Sequence, residues 1–279
     1  MRRVKAIVRA VLPGPIFDFL KSVQRRINFA RNAGFSDEER LTRHYLDSMP
    51  ALTRYCVDIA AQDGVAGSQT LNLFKNGWTG LAVEYDAKMF AILSSTYAVF
   101  ENVSLIRTRV VPANVVSILH AALCPRNFGL LSLDIDSYDH FILEQILGAF
   151  RPSLICVEIN ETIPPPIAFT VTYDPDHHWD GNHFQGQSIA KCYELCVRYS
   201  YDIVELHYNN LFIVPRELNS HGALSPGAAY DAGYRNRTDR KEKFPWNSDM
   251  EAIMTMSTED AKRFLEEKFA KYKGKYTLE

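Results

Sequence analysis

Residues 55–84 read YCVDIAAQDGVAGSQTLNLFKNGWTGLAVE, and this stretch decides the fold. An apolar, β-branched run at 56–60 reads as a strand. A turn follows that carries Asp63, Gly64 and Gly67, then a helix beginning near Ser68, and a second strand at 80–84 that ends on Glu84. Glycines in such a turn let the backbone and a helix N-terminus approach a ligand closely. An acid that ends the second strand about twenty residues later commonly accepts the ribose hydroxyl groups of an adenosine. The turn and the acid agree with each other.

Outward from this unit the same alternation continues. Further strands are expected at 103–108, 128–134, 153–158, 201–207 and 211–215, with helices at 68–76, 87–100, 113–123, 140–150 and 188–198. Short apolar runs alternating with amphipathic stretches are the pattern of parallel strands joined by crossover helices, so the expected fold is an α/β, doubly wound, mostly parallel sheet. Only Asn209 and Asn210 separate the last two strands, which predicts a hairpin that brings an antiparallel edge to the sheet. Two segments, 162–187 and 219–247, are rich in proline, histidine, glycine, serine and arginine; neither promises a core, and both read as long functional loops. A final helix is expected over 260–271, N-capped near Ser257. The domain reading is an N-terminal helical extension at 1–50, a catalytic domain at 51–218, and a C-terminal loop and helix at 219–279 that pack on it.

Composition bounds the function. The 279 residues are 47% hydrophobic and 23% charged, as in an ordinary globular protein. Lysine plus arginine total 31 against 33 acids, which gives no reason to expect a nucleic-acid partner. Five cysteines without a C-x-x-C pair argue against a disulfide framework and a zinc site, and read as small core residues of a cytoplasmic protein. Positive charge is concentrated at the N-terminus, where Arg2, Arg3, Lys5, Arg9, Lys21, Arg25, Arg26 and Arg31 punctuate apolar residues. Such a stretch fits a covering helix or homo-oligomer contact, or a peripheral position on the inner face of an anionic membrane. Ser36-Asp37-Glu38-Glu39 then resembles a capping box that opens a helix ending at the Met49-Pro50 break.

In an open α/β sheet the ligand lies beyond the carboxyl ends of the strands at the topological switch point. The ends of the first, second, fourth and fifth strands carry Asp58, Glu84, then Asp134 and Asp136, then Glu158 and Asn160. On VDIAAQDG (57–64), NGWTGLAVE (76–84), LLSLDIDSYD (130–139) and SLICVEIN (153–160), the chain resembles the class I S-adenosylmethionine-dependent methyltransferases, and within them the FkbM-like proteins. The resemblance covers 55–218 and implies a seven-stranded sheet with a reversed final hairpin. It also implies S-adenosylmethionine as cofactor, with Asp58, Ala60, Asp63, Gly64 and Ser68 at the cofactor turn, Glu84 and Tyr85 at the ribose, and Asp134 beside the amino-acid portion. Ala60 and Gln62 depart from the family, which has glycines there. A nicotinamide-binding domain is a rival reading, but no G-x-G-x-x-G is present.

Transfer of a methyl group to an alcohol requires loss of the hydroxyl proton, hence a base or a divalent cation such as magnesium. Asp136, Glu158 and Asn160, with Asp134, offer hard oxygen atoms that suit such an ion. The D-x-D and E-x-N pattern resembles metal-dependent sugar and catechol O-methyltransferases, although those have the fifth-strand acid and amide adjacent, without an Ile159 between them. Asp134 equally reads as a helix cap, and Asp136 and Asp139 as turn residues. For the base the candidates are His183, His140 and Asp139. Trp179 and His183, in the polar 174–186 loop, are the expected acceptor contacts, and that loop suits a sugar, glycan or other small polar acceptor. Arg235, Arg237, Arg240, Lys241 and Lys243 read either as a solvated loop or as contacts to an acceptor anion. The alternative to an enzyme is a non-catalytic scaffold that keeps the fold, to which Gln62 lends itself.

Overall fold

In the computed structural model, described at residues 20, 22–25, 27, 29, 37–49, 52–177 and 179–279, the elements follow the sequence pattern closely. They are α1 (Asp37–Asp47), β1 (Tyr55–Ile59), α2 (Leu71–Lys75), β2 (Thr79–Glu84), α3 (Ala87–Tyr97), β3 (Val103–Arg107), α4 (Val115–Ala121), β4 (Leu130–Leu133), α5 (Asp139–Ala149), β5 (Leu154–Glu158), β6 (Phe169–Val171), α6 (Ile189–Tyr199), β7 (Tyr201–His207), β8 (Asn210–Pro215), α7 (Pro226–Tyr230), α8 (Arg240–Lys243), α9 (Thr258–Lys268) and β9 (Tyr276–Leu278). Several helices start at a residue whose side chain caps them. Asp86 accepts from the Met89 amide before α3, Ser188 from Lys191 before α6, and Ser257 from Asp260 before α9.

Seven strands form one sheet in the order β3-β2-β1-β4-β5-β8-β7. Pairing is parallel from β3 through β5, and β8 runs antiparallel between β5 and β7. Strands β1, β4 and β5 are buried along their whole length, as central parallel strands covered on both faces must be. One face packs Leu41 and Tyr45 of α1, Phe74 of α2 and Tyr97 of α3 against Cys56, Ala82 and Cys156. The other packs Leu119 of α4, Ile142 and Ile146 of α5 and Leu195 of α6 against Val57, Leu131 and Ile155. This is the doubly wound sheet. Its sense of winding reverses between β1 and β4, so the switch-point crevice lies beyond the tips of those two strands. All five cysteines are buried and free.

The two segments expected to lack a core contribute to it. Ile163, Ile167, Phe169 and Phe184 from the first, with Ala229, Tyr230 and Tyr234 from the second, are almost completely buried. The reason is pairing over long sequence distances. Strand β6 finds its partner in β9, Tyr230 donates to the Glu161 carbonyl at 2.7 Å, and Asn247 bridges the Glu161 carboxylate and the Tyr234 hydroxyl. Polar groups satisfied in this way make irregular backbone cheap to bury. Most of the basic stretch at 1–35 lies outside the described residues, as do Ser36 of the predicted cap and Pro50 of the predicted break. No helix among the described residues is long and apolar enough to cross a membrane.

Candidate functional site

The turn after β1 is bent by three left-handed residues, Ala60, Gln62 and Gly64, with φ of 69°, 50° and 73°. The two positions where alanine and glutamine replace glycine therefore adopt the conformation that glycine would supply. The tip of β2 holds them there. The Val83 carbonyl accepts from the Ala60 and Ala61 amides at 3.0 Å each, and the Glu84 carboxylate accepts from the Gln62 amide at 2.8 Å and the Asp86 amide at 2.6 Å. Each carboxylate oxygen keeps a further lone pair for a ligand hydroxyl group.

Beneath the turn, buried Asp58 accepts from the Thr70 hydroxyl at 2.6 Å. Burial pushes its carboxyl up to about 6, against hydrogen bonds from Thr70 and Ser132 that pull it down. Ser68 accepts from the amides of Thr70 and Leu71 and so opens α2. Asp63 is absorbed by its own turn: it accepts from the Val65 and Ala66 amides and pairs with Arg25 at 3.0 Å. Those amide bonds and the arginine hold its carboxyl below the usual range, against the desolvation that raises it.

A cleft of about 210 Å³ opens beside this turn. Ile59, Ala60, Glu84 and Tyr85 form one side; Thr108 to Val110, Ile135 and Tyr138 form the other, and His177 with Trp179 reach in from the segment after β6. Its volume falls below the roughly 300 Å³ at which drug-sized sites begin. A larger cavity of about 470 Å³ lies between α1 and α2, against Arg54 and Trp78 at the opposite ends of β1 and β2; the strand-tip acids take no part in its lining.

The parallel register pairs Leu133 with Val157, which sets the following Asp134 beside Glu158. Carboxylate oxygens of Asp134, Asp136 and Glu158 lie within 4.8 Å of one another. Desolvation on the strand side and the charges of Asp136 and Asp139 raise the carboxyl of Asp134, which is exposed at the rim, while a hydrogen bond donated by Glu158 pulls it down. Glu158 is buried, accepts from the Asn209 amide at 2.6 Å, and is held far above the usual carboxyl range by desolvation and by Asp134. Three crowded hard oxygen donors fit a divalent cation of the magnesium or calcium type.

The other predicted residues are engaged elsewhere. Asn160 spends both ends of its amide on the His183 and Gln185 carbonyls and on Thr162, so its side chain braces the loop after β5. Asp139 is fully buried and accepts from the Ile135 and Ser137 amides, pinning the loop that presents Asp134 and Asp136, as the turn reading anticipates. His140 is buried against Gln187 at 2.9 Å, and desolvation lowers its pKa. His183 pairs with Asp249 at 2.9 Å and lines a separate crevice with Lys268 and Tyr272. Neither imidazole is brought to the acid cluster by these contacts.

Four participants escaped the sequence reading: Arg109, Tyr138 and His177 in the cleft, and Asn209 on Glu158. Applying the strand-tip rule to the third strand would have found Arg109, and reading the hairpin turn as part of the fifth-strand tip would have found Asn209.

No protein-family model matches the chain, and no curated protein does. Among solved structures the chain is similar to the N-terminal domain of EvdMO1 with SAH bound, at 12% identity over 65% of this chain and 81% of that one, with a TM-score of 0.42. It is similar to an O-methyltransferase from Bacillus cereus in complex with SAH, at 16% identity over 76% and 96%, with a TM-score of 0.44. A third similarity is to SAM-bound CalS10, an amino pentose methyltransferase from Micromonospora echinaspora, at 9% identity over 67% and 94%, with a TM-score of 0.40. The fold assignment rests on strand order and register in this chain, not on these likenesses.

Proposed function

We propose that this chain is an S-adenosylmethionine-dependent methyltransferase that methylates a hydroxyl oxygen of a sugar, glycan or other small polar acceptor. One observation carries the reading: at the switch point of the sheet, a left-handed turn locked to Glu84 borders a cleft, with three converging carboxylates at the adjoining strand tips. When bound, the cofactor supplies an electrophilic methyl group. Glu84 would hold the ribose hydroxyls with its remaining lone pairs, and Tyr85, exposed on the cleft wall, would contact the base.

The acceptor oxygen must be unburdened of its proton to attack, and a carboxylate of the Asp134, Asp136 and Glu158 cluster is the group this chain offers for that purpose. The same three side chains would hold a divalent cation, which lowers the pKa of a bound hydroxyl group. Fixed carboxylates and backbone dipoles in a partly dry crevice do most of their work by position and electrostatics.

A binding protein that keeps the fold without turnover is the second reading, and the side chain of Gln62 in the cofactor turn favours it. Isothermal titration with S-adenosylhomocysteine tests the first step: binding in the micromolar range is expected, and silence at millimolar ligand would remove the methyl-donor assignment. Methyl transfer from labelled cofactor to a panel of glycans then separates the readings. Loss of turnover with retained cofactor binding in Glu158→Gln supports the enzyme.

A further inference from the structure

The segment between β6 and α6 does more than connect. It carries His177 and Trp179 into the wall of the Glu84 cleft. Arg109, just past the tip of β3, donates to the His177 carbonyl at 2.7 Å while its guanidinium sits 5.6 Å from the Tyr85 ring centroid. Trp179 is 38% exposed at the cleft, yet its indole is oriented by a 2.7 Å bond from Nε1 to the Asn182 carbonyl. An indole fixed in direction and left open on this cleft is a stacking surface with no ring against it among the described residues.

The C-terminus holds this segment from behind. Phe184 stacks on Tyr272 at 3.8 Å and 9°, Asn182 donates to the Tyr272 hydroxyl, Lys275 pairs with Asp174 at 3.2 Å, and β6 pairs with β9. We propose that Trp179 is a cofactor-binding residue, that Arg109 is the positioning residue that fixes its segment over the cleft, and that the C-terminal residues 272–278 set cofactor affinity from outside the cleft. This inference rests on the cleft being the S-adenosyl site.

Calorimetric titration of the full chain with S-adenosylhomocysteine tests it, with tryptophan emission as a second readout. Stacking on an aromatic ring and a charge-assisted hydrogen bond are each worth enough to predict about tenfold weaker binding in Trp179→Ala and in Arg109→Ala. Tyr272→Ala, which touches no part of the cleft, is expected to weaken binding severalfold, while Tyr272→Phe, which keeps the stack and loses only the Asn182 bond, is expected to weaken it less. The ligand should change the emission of the parent, and Trp179→Phe should abolish that change, because Trp78 is buried away from the cleft and Trp246 does not line it. Parent binding with all three alanine variants within twofold of it overturns the inference and leaves the methyl-donor reading intact. A parent that binds no S-adenosylhomocysteine removes both. Should Arg109→Ala melt early and blur its affinity, the emission experiment decides alone: a ligand-induced change that survives in Trp179→Phe overturns the role of Trp179.

Discussion

Ala60 and Gln62 carry backbone strain that glycine would avoid, on the order of 1 kcal/mol each for a side chain in the left-handed region. The conformation persists because the Val83 carbonyl and the Glu84 carboxylate over-determine it, so alanine and glutamine are held in a conformation that glycine adopts freely. Asp58, directly below, gives this site a pH signature. Its carboxyl is raised from 3.8 to about 6, chiefly by burial. A native carboxyl that binds its proton more tightly than the unfolded chain does contributes stability that is complete below pH 3.8 and is lost as pH rises through 6. The shift corresponds to about 3 kcal/mol. Asp58→Asn keeps an acceptor for the Thr70 hydroxyl and removes the titration. Urea denaturation between pH 4.5 and 7.5 should therefore show a stability that falls less steeply with pH in the variant. Parallel slopes for the two proteins would place the raised carboxyl elsewhere.

At the scale of elements, α3 is seated on the turn after β1 through Gly64. A Cβ there would lie 2.6 Å from Leu93 Cδ1 and 2.6 Å from Tyr97 Cε1. The Leu93 terminus can move, but the Tyr97 ring is buried and its hydroxyl is tied to the Gly64 carbonyl at 2.9 Å. Gly64→Ala should cost about 3 kcal/mol from overpacking plus left-handed strain, lowering Tm by about 5–10 °C. Gly67→Ala has the same sign of φ and open space around it, so its cost should stay near 1 kcal/mol. Equal melting temperatures for the two variants would dissociate α3 packing from the turn. Elements of this kind were legible in sequence because the central strands are buried on both faces and read as continuous apolar runs, as in LICVE of β5. Strands β6 and β9 were not legible. Each has three residues, and what makes them strands is a partner about one hundred positions away. A separation of 66 positions likewise hid the partner of His183, since nothing local to 174–186 points to Asp249.

The whole molecule is organised by the reversal of winding between β1 and β4, and the parallel strands carry their acid-bearing tips to the same edge of the sheet. This part of the site was readable as far as strand order was, because a strand-tip rule needs only the order and the tips. Which tip residue faces the crevice was beyond it, since Asp139 and Asn160 were turned to bracing by backbone partners that periodicity does not encode. Crowding Asp134, Asp136 and Glu158 within 4.8 Å leaves like charges unfavourably close in the folded state alone. A cation that binds the native cluster and not the unfolded chain must stabilise by mass action, by about 2.7 kcal/mol at one hundred times its dissociation constant. Saturating magnesium or manganese at neutral pH should thus raise Tm by about 5 °C in differential scanning calorimetry. Asp136→Asn should abolish that rise, because it removes one of the three donor carboxylates. A parent whose melting is indifferent to every divalent cation, or an Asp136→Asn protein that keeps the full metal-dependent rise, would leave proton sharing among the three carboxyl groups as the way the fold tolerates them.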